Sequence, residues 1–112
     1  MNNDDRRAKL QQEISRLSGK LTVLIKSEKV IDHDGFEHLF SLFDELAIET
    51  KEEEYVSKEF IGRMIFLYGI MYTQASYSSD PPSIIDICNR FLWNVKKICH
   101  YPSEKQRIPP KG

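Results

Sequence analysis

The hydrophobic positions of the chain repeat with the spacing of α-helices in four separate stretches. In the first, between about residues 4 and 26, apolar side chains recur at alternating steps of four and three residues: Leu10, Ile14, Leu17, Leu21 and Leu24. Such a narrow seam is typical of a helix in a bundle or a coiled coil. Asp4 and Asp5 stand at its amino end, where the helix dipole favours negative charge. The pattern therefore predicts a first amphipathic helix.

The second stretch, between about residues 35 and 49, is predicted to be an amphipathic helix with a clear start. Asp34 is a suitable N-cap, and Glu37 follows three residues later, as in a capping box. One face of this stretch is apolar and consists of Phe36, Leu39, Phe40, Phe43, Leu46 and Ala47. Most of the acidic residues fall off that face, so we expect them on the surface.

The third stretch, between about residues 58 and 77, follows Ser57 as N-cap and is apolar on almost every side. A helix of this kind lies in the centre of a protein or at an interface. Gly62 and Gly69 are seven residues apart and share one face. Two interpretations remain open. The glycines allow tight packing inside the protein, or they belong, with Phe66 and Ile70, to a surface on which the protein self-associates.

The fourth stretch, between about residues 82 and 99, follows a break in which Asp80 is a natural N-cap and Pro81 occupies the favoured first position. Its apolar stripe includes Cys88 and Cys99. Eleven residues of helix separate these cysteines by about 16 Å, too far for an internal disulfide. We therefore expect both to be buried, reduced thiols.

Four helices joined by short connections predict an all-α fold, a four-helix up-and-down bundle that forms a single domain over residues 1–101. Residues 102–112 contain three prolines, three basic residues and little apolar content. We expect this segment to be a flexible basic tail. No internal repeat and no second domain is predicted.

The net charge of −1 hides an uneven distribution. Residues 30–59 contain ten Asp or Glu and two Lys, a charge of −8, whereas both flanking regions are basic. An acidic block of this kind is often only a solvated helix face. It can also be a docking surface for a basic partner, since complementary charge speeds encounter and discriminates among partners.

The sequence contains no recognisable catalytic, metal or cofactor site. His33 and His38 flank Asp34 and Glu37, but their spacing matches neither of the common helical zinc motifs. The glycines form no phosphate-binding loop. The first helix and the tail carry basic residues, but the centre is strongly acidic and no known nucleic-acid-binding motif is present. The third stretch, the longest apolar region of the chain, is too short and too polar for a convincing membrane span. We therefore expect a cytoplasmic protein that is not an enzyme and needs no cofactor.

The favoured hypothesis is a non-catalytic protein-binding module. Small helical immunity proteins that neutralise toxins share this size and composition, and many of their toxins are nucleases with basic clefts. On this interpretation a basic toxin domain would bind an acidic surface consisting of Asp44, Glu45, Glu49, Glu52, Glu53, Glu54 and Tyr55. The alternative is a structural or adaptor protein that forms a homodimer through Gly62, Phe66, Gly69 and Ile70.

Overall fold

The structure, a computed structural model, describes residues 3–53 and 55–99, with the side chains of Asn3 and Asp4 excepted. Helix α1 spans Asn3–Val23 and continues into a π-helical turn, Leu24–Glu28. Helix α2 spans His33–Glu49. Helix α3 spans Lys58–Gln74 and ends in a 3₁₀ turn, Ala75–Tyr77, before helix α4, Pro81–Ile98. The all-α fold with four helices is confirmed, while the predicted tail at 102–112 lies outside the described residues.

The four helices pack as two antiparallel hairpins laid side by side. Helix α1 packs against α2 and α3, and α4 packs against the same two helices, so α2 and α3 lie on one diagonal of the bundle. Consecutive helices run in opposite directions, as predicted. The neighbours α2 and α4 are nevertheless parallel. This follows from two ion pairs, Glu37 with Arg90 near the start of α2 and Asp44 with Lys97 further along both helices. The connection between α2 and α3 therefore crosses the bundle instead of joining adjacent helices.

One continuous hydrophobic core fills the space between the four helices. Phe43 of α2 and Phe91 of α4 meet at its centre edge to face, with ring centroids 5.6 Å apart, and neither is exposed. Every residue of the predicted α1 seam is buried except Leu24, which is half-buried. Burial of this apolar surface is the main force that holds the helices together, at about 25 cal/mol for each Å² removed from water.

The start of α2 differs from the prediction by two residues. Asp32, not Asp34, is the N-cap, and its carboxylate accepts a hydrogen bond of 2.9 Å from the backbone N–H of Gly35. Gly35 packs closely here, since an added Cβ would lie 2.7 Å from Leu21 Cδ2 and 2.8 Å from Asp32 Oδ2. A larger residue here would therefore force the side chains of Leu21 and Asp32 to shift.

The end of α1 is held by an unusual local conformation. After the π-helical turn, Lys29 adopts a left-handed backbone with φ of 59°. Its ammonium group donates to the Lys26 carbonyl at 3.0 Å and to Gln74 Oε1 at 3.1 Å. The first bond is local to the turn, and the second connects the end of α1 with the end of α3. Both help to offset the cost of a left-handed non-glycine residue.

The beginnings of α3 and α4 largely match their predicted signals. Ser57 caps α3 by accepting a 3.1 Å hydrogen bond from the backbone N–H of Phe60. Pro81 is the first residue of α4, as predicted, and Asp80 occupies the N-cap position. The Asp80 side chain, however, accepts a 2.6 Å hydrogen bond from the Ser83 hydroxyl instead of bonding to the backbone. Within the described ranges, none of the helices has the length and apolarity needed to cross a bilayer.

Candidate protein-binding surfaces

The predicted acidic surface follows the outer side of α2 and the turn after it. Asp44 and Glu45 are exposed, and Glu49 is half-buried. Glu52 and Glu53 are exposed in the turn, and Glu54 lies outside the described residues. The described carboxylates of this set therefore lie along α2 and in the turn that follows it.

Cations of the flanking helices contact most of these carboxylates. Arg6 Nη2 lies 3.4 Å from Glu45 Oε1 and its Nε lies 3.0 Å from Glu49 Oε2. Arg7 Nη1 lies 2.8 Å from Glu53 Oε1. Lys97 pairs with Asp44 on the opposite side of α2. The charges that the sequence separates into basic and acidic regions are thus partly neutralised against each other in the folded chain.

A fifth ion pair is reinforced by an aromatic contact that the sequence did not predict. Arg90 Nη2 lies 2.8 Å from Glu37 Oε2, and the Arg90 guanidinium carbon lies 4.7 Å from the centroid of the Phe40 ring. A guanidinium over an aromatic face gains electrostatic attraction from the ring quadrupole. The parallel placement of α2 and α4 creates this contact, and no spacing along the chain indicates it.

Tyr55 is the most exposed large side chain near the acidic residues. Its side chain is 86% exposed, more than any other large apolar side chain of the described residues. An exposed tyrosine is the kind of side chain that anchors protein interfaces. It stands just beyond the turn that contains Glu52 and Glu53, so it lies at the edge of the acidic surface.

The solvent face of α3 is a second candidate surface, and here we define it as Gly62, Ile65, Phe66, Gly69, Tyr72, Thr73 and Tyr77. Phe66 is 66% exposed and Ile65 is 55% exposed. Tyr77 is 71% exposed, and Tyr72 stacks obliquely on Tyr68 with ring centroids 5.9 Å apart. Large apolar side chains grouped in this way are typical of interaction sites.

The two glycines of α3 have open space beside them. Gly62 and Gly69 are both exposed, and a Cβ added to either would meet no atom within 4 Å. Tight packing inside the protein, one of the two interpretations of the pair, is therefore wrong. Gly69 instead lies in a shallow groove whose walls include Phe66, Ile70 and Tyr77, with Lys26 at the rim. Ile70 is half-buried and contacts the core.

The other glycine of interest, Gly19 in α1, accommodates a side chain of α3. A Cβ at Gly19 would lie 3.2 Å from Arg63 Nη2. The arginine therefore lies across α1, close to its backbone. A glycine within a helix costs about 1 kcal/mol relative to alanine, and here it leaves space for the Arg63 side chain of the neighbouring helix.

The two cysteines have different environments, which partly contradicts the prediction. Cys88 is buried with no exposed surface, and burial raises the pKa of its thiol from 9.0 to about 11. Cys99 is exposed, contrary to the expectation that both would be buried, because it follows the last residue of α4. Partial burial still raises the pKa of the Cys99 thiol, so neither cysteine has the low pKa of a reactive nucleophile.

His33 and His38 are both exposed on α2. Among residues 3–53 and 55–99, no group of three or more His, Cys, Asp or Glu side chains is arranged to hold a metal ion. The only buried side-chain nitrogen or oxygen atom without a hydrogen-bond partner in this part of the chain is Asn94 Oδ1. The Asn94 amide donates back to the Arg90 carbonyl at 2.8 Å, within α4 itself.

Comparison with protein-family models, with curated proteins and with solved structures finds no match to this chain. The functional argument therefore depends on the two surfaces described above.

Proposed function

We propose that this protein is a non-catalytic, cytoplasmic protein-binding module that binds its partner through the solvent face of α3. The observation that carries the proposal is the group of exposed apolar side chains around two open glycines. In an isolated domain the exposed part of each side chain, about half to two-thirds, would stay in water, although burying it would stabilise a complex by roughly 1–2 kcal/mol before entropic costs. Contacts inside the described chain cover only part of them.

The charge distribution supports this choice. No Asp, Glu, Lys, Arg or His occurs from Met64 to Ser79, so the last turns of α3 are uncharged on every side. Apolar surface of this kind gains free energy when a partner removes it from water, with little dependence on salt. A binding site based on this face is therefore distinguishable from one based on charge.

The test uses the full chain as bait in extracts of the cells that produce it, with two matched variants. Phe66→Glu places a charge on the α3 face, and Ile48→Glu places the same charge on α2, where Ile48 is 69% exposed. We expect partner retention by the wild type and by Ile48→Glu, at low and at moderate salt, and its loss with Phe66→Glu. Equal retention by all three proteins would contradict the proposal.

A second candidate function is inhibition of a basic, nuclease-type toxin through the acidic surface. The exposed Tyr55 beside Glu52 and Glu53 favours it, because an aromatic anchor can supply the affinity that charge alone does not. We rank toxin inhibition below binding through α3 because four carboxylates of the acidic surface already have cationic partners within the chain: Asp44, Glu45, Glu49 and Glu53.

Charge reversal separates this second candidate from the first. The triple variant Glu52→Lys, Glu53→Lys and Glu54→Lys would lose a basic partner that is retained at low salt and weakened at higher salt. If the triple variant retains the same proteins as the wild type, the acidic surface has no part in binding. Tyr55→Ala, combined with unchanged acidic residues, tests the aromatic anchor separately.

A further inference from the structure

A small cleft opens at the end of the bundle where α1 and α3 end and where α2 and α4 begin. Its volume is about 200 Å³, below the range that drug-sized ligands occupy, so it suits a molecule of few atoms. Three isoleucines form the apolar part of its lining: Ile25 and Ile84 are buried, and Ile31 is half-buried. The rest of the lining is polar and includes charges of both signs.

One of these charges, the Lys29 ammonium, is held in place by the fold. Among the residues that the structure describes, Lys29 alone has a positive φ, and it follows the π-helical turn Leu24–Glu28. Both features are uncommon and are found often at functional sites. The ammonium donates to the Lys26 carbonyl and to Gln74 Oε1, which uses two of its three N–H groups. The third can donate to a negatively charged oxygen of a ligand.

The Gln74 side chain adds further donors beside this ammonium. An ammonium can only donate, so the Gln74 atom that meets Lys29 must be the amide oxygen. The amide nitrogen of this half-buried side chain therefore keeps its N–H groups for another acceptor, and no described residue accepts from it. Together, the Lys29 ammonium and the Gln74 amide are suited to a carboxylate, whose two oxygens accept several hydrogen bonds.

The connection between α3 and α4 supplies the opposite charge. Asp80 Oδ2 accepts a 2.6 Å hydrogen bond from the Ser83 hydroxyl, whereas Asp80 Oδ1 has no donor among the described residues. The Asp80 backbone N–H donates to Ser78 Oγ at 2.9 Å, which holds the connection in shape. Asp80 and Lys29 line the same cleft, yet they form no ion pair with each other. A molecule with one negative and one positive end can therefore bridge them.

We infer that this cleft binds a free α-amino acid with an apolar side chain. Lys29 and the Gln74 amide nitrogen bind its carboxylate, Asp80 binds its ammonium, and its side chain contacts the three isoleucines. A purely anionic ligand would meet the Asp80 carboxylate without compensation, and a purely cationic ligand would meet Lys29 in the same way. The inference goes beyond the proposed function and does not use the outer face of α3.

Backbone amide NMR of the full chain tests whether an amino acid binds. The probes are L-leucine, L-valine, L-methionine and L-phenylalanine, each titrated at constant pH and ionic strength. We expect at least one of them to shift the amide signals of Lys29, Gln74 and Ser83, with a dissociation constant on the order of 1 mM. The signal of Ile48, on the outer side of α2, should not change. If none of the four probes shifts the cleft signals, the inference is wrong.

Analogues that lack one charged group test the class of ligand. For L-leucine these are isocaproate, which lacks the amino group, and isopentylamine, which lacks the carboxylate. We expect each to bind at least about tenfold more weakly than the amino acid, because one end of the cleft then has no partner. Equal binding of isocaproate would indicate a site for carboxylates alone and would overturn the assignment.

Two substitutions test the residues assigned to the two ends of the ligand. Lys29→Asn keeps a residue that tolerates the left-handed backbone, and Asp80→Asn keeps an oxygen that can accept from Ser83. We expect each to weaken amino-acid binding about tenfold or more, with helical content unchanged in circular dichroism. Lys26→Asn and Asp86→Asn are the matched controls, since they remove the same charges from exposed side chains that do not line the cleft. Equal effects of variants and controls would contradict the inference.

The outcomes for this inference and for the proposed function can be told apart. Phe66→Glu, which tests the outer face of α3, is expected to leave amino-acid binding unchanged. If no amino acid binds while Phe66→Glu still abolishes partner capture, the cleft inference fails and the proposed function stands. If an amino acid binds as described while Phe66→Glu leaves capture intact, the reverse holds.

Discussion

The outer sides of α2 and α3 both face solvent, but they consist of opposite kinds of side chain. Both helices bury one face in the common core and leave the other toward solvent. The outer side of α2 carries charges, and Arg6 and Lys97 from neighbouring helices contact them. The outer side of α3 carries Phe66 and Tyr77, which contacts within the described chain leave mostly exposed. Most acidic side chains of α2 therefore have cationic partners within the folded chain, whereas the apolar side chains on the outer side of α3 remain mostly exposed.

The first prediction compares a phenylalanine from each helix. Phe43 in α2 is fully buried against Phe91, so Phe43→Ala is expected to lower the free energy of unfolding by about 3–5 kcal/mol. Phe66→Ala, at an exposed position, is expected to change it by less than about 1 kcal/mol in dilute solution. Urea unfolding followed by circular dichroism measures both.

Phe43→Ala can leave too little stability to measure, so Phe43→Leu provides a milder variant with an expected loss of about 1–2 kcal/mol. An equal effect of the Phe43 and Phe66 substitutions would mean that the face of α3 is covered within the monomer. That result would remove the contrast between the two helices.

The second prediction concerns pH and the buried thiol of Cys88. Its pKa is raised to about 11 in the folded state from an ordinary value of 9.0. A raised pKa means that the folded state keeps a proton which the unfolded state loses first. The resulting stabilisation is fully present below pH 9 and falls by roughly 2 kcal/mol as pH rises through about 11.

The difference between the wild type and Cys88→Ala isolates this contribution, because the tyrosines and lysines titrate in both proteins. Urea unfolding at several values between pH 8 and pH 11 measures it. The exposed Cys99 supplies a contrast, since it should react with a thiol reagent in the native protein while Cys88 reacts only on unfolding. Parallel pH slopes for the two proteins would contradict the assignment.

The third prediction compares two glycines. Gly35→Ala places a Cβ within 3 Å of Leu21 and Asp32, and it is expected to destabilise the protein by about 1–2 kcal/mol through overpacking and loss of the N-cap. Gly69→Ala meets no atom within 4 Å and is expected to stabilise the monomer by up to about 1 kcal/mol. The opposite signs, measured by thermal unfolding at low concentration, are the critical result.

The smallest expected effect belongs to the ion pairs. Arg6→Ala removes the contacts with Glu45 and Glu49, and we expect a loss below about 1 kcal/mol that shrinks further in high salt. Lys9→Ala, which removes an equal charge from the same helix, is the control. A loss of several kcal/mol would show that the charges of α2 contribute as much to stability as its buried face.

Much of the fold could be predicted because the local signals agree with one another. The spacing of apolar residues predicts four helices, and Ser57 and Pro81 mark two of their starts correctly. At the start of α2, both Asp32 and Asp34 are suitable N-caps. The spacing to Glu37 predicts Asp34, whereas the N-cap in the structure is Asp32. The close contact of Gly35 with Leu21 involves a different helix, so the spacing within α2 does not indicate it.

The candidate surfaces were predicted less completely. The acidic residues are recognisable in the sequence, yet the cations that meet them, Arg6 and Arg7, lie about forty residues away along the chain. The open space at Gly62 and Gly69 is also invisible in the sequence, where tight packing and an external interface produce the same spacing.

The sequence by itself determined the number of helices, their approximate limits and which faces are apolar, because these depend on interactions between residues three or four positions apart. Only the tertiary structure decided which helices are neighbours, which charges are paired and which apolar side chains stay exposed. Those properties depend on contacts between distant segments, such as Glu37 with Arg90, and one helix cannot determine from its own pattern what packs against it.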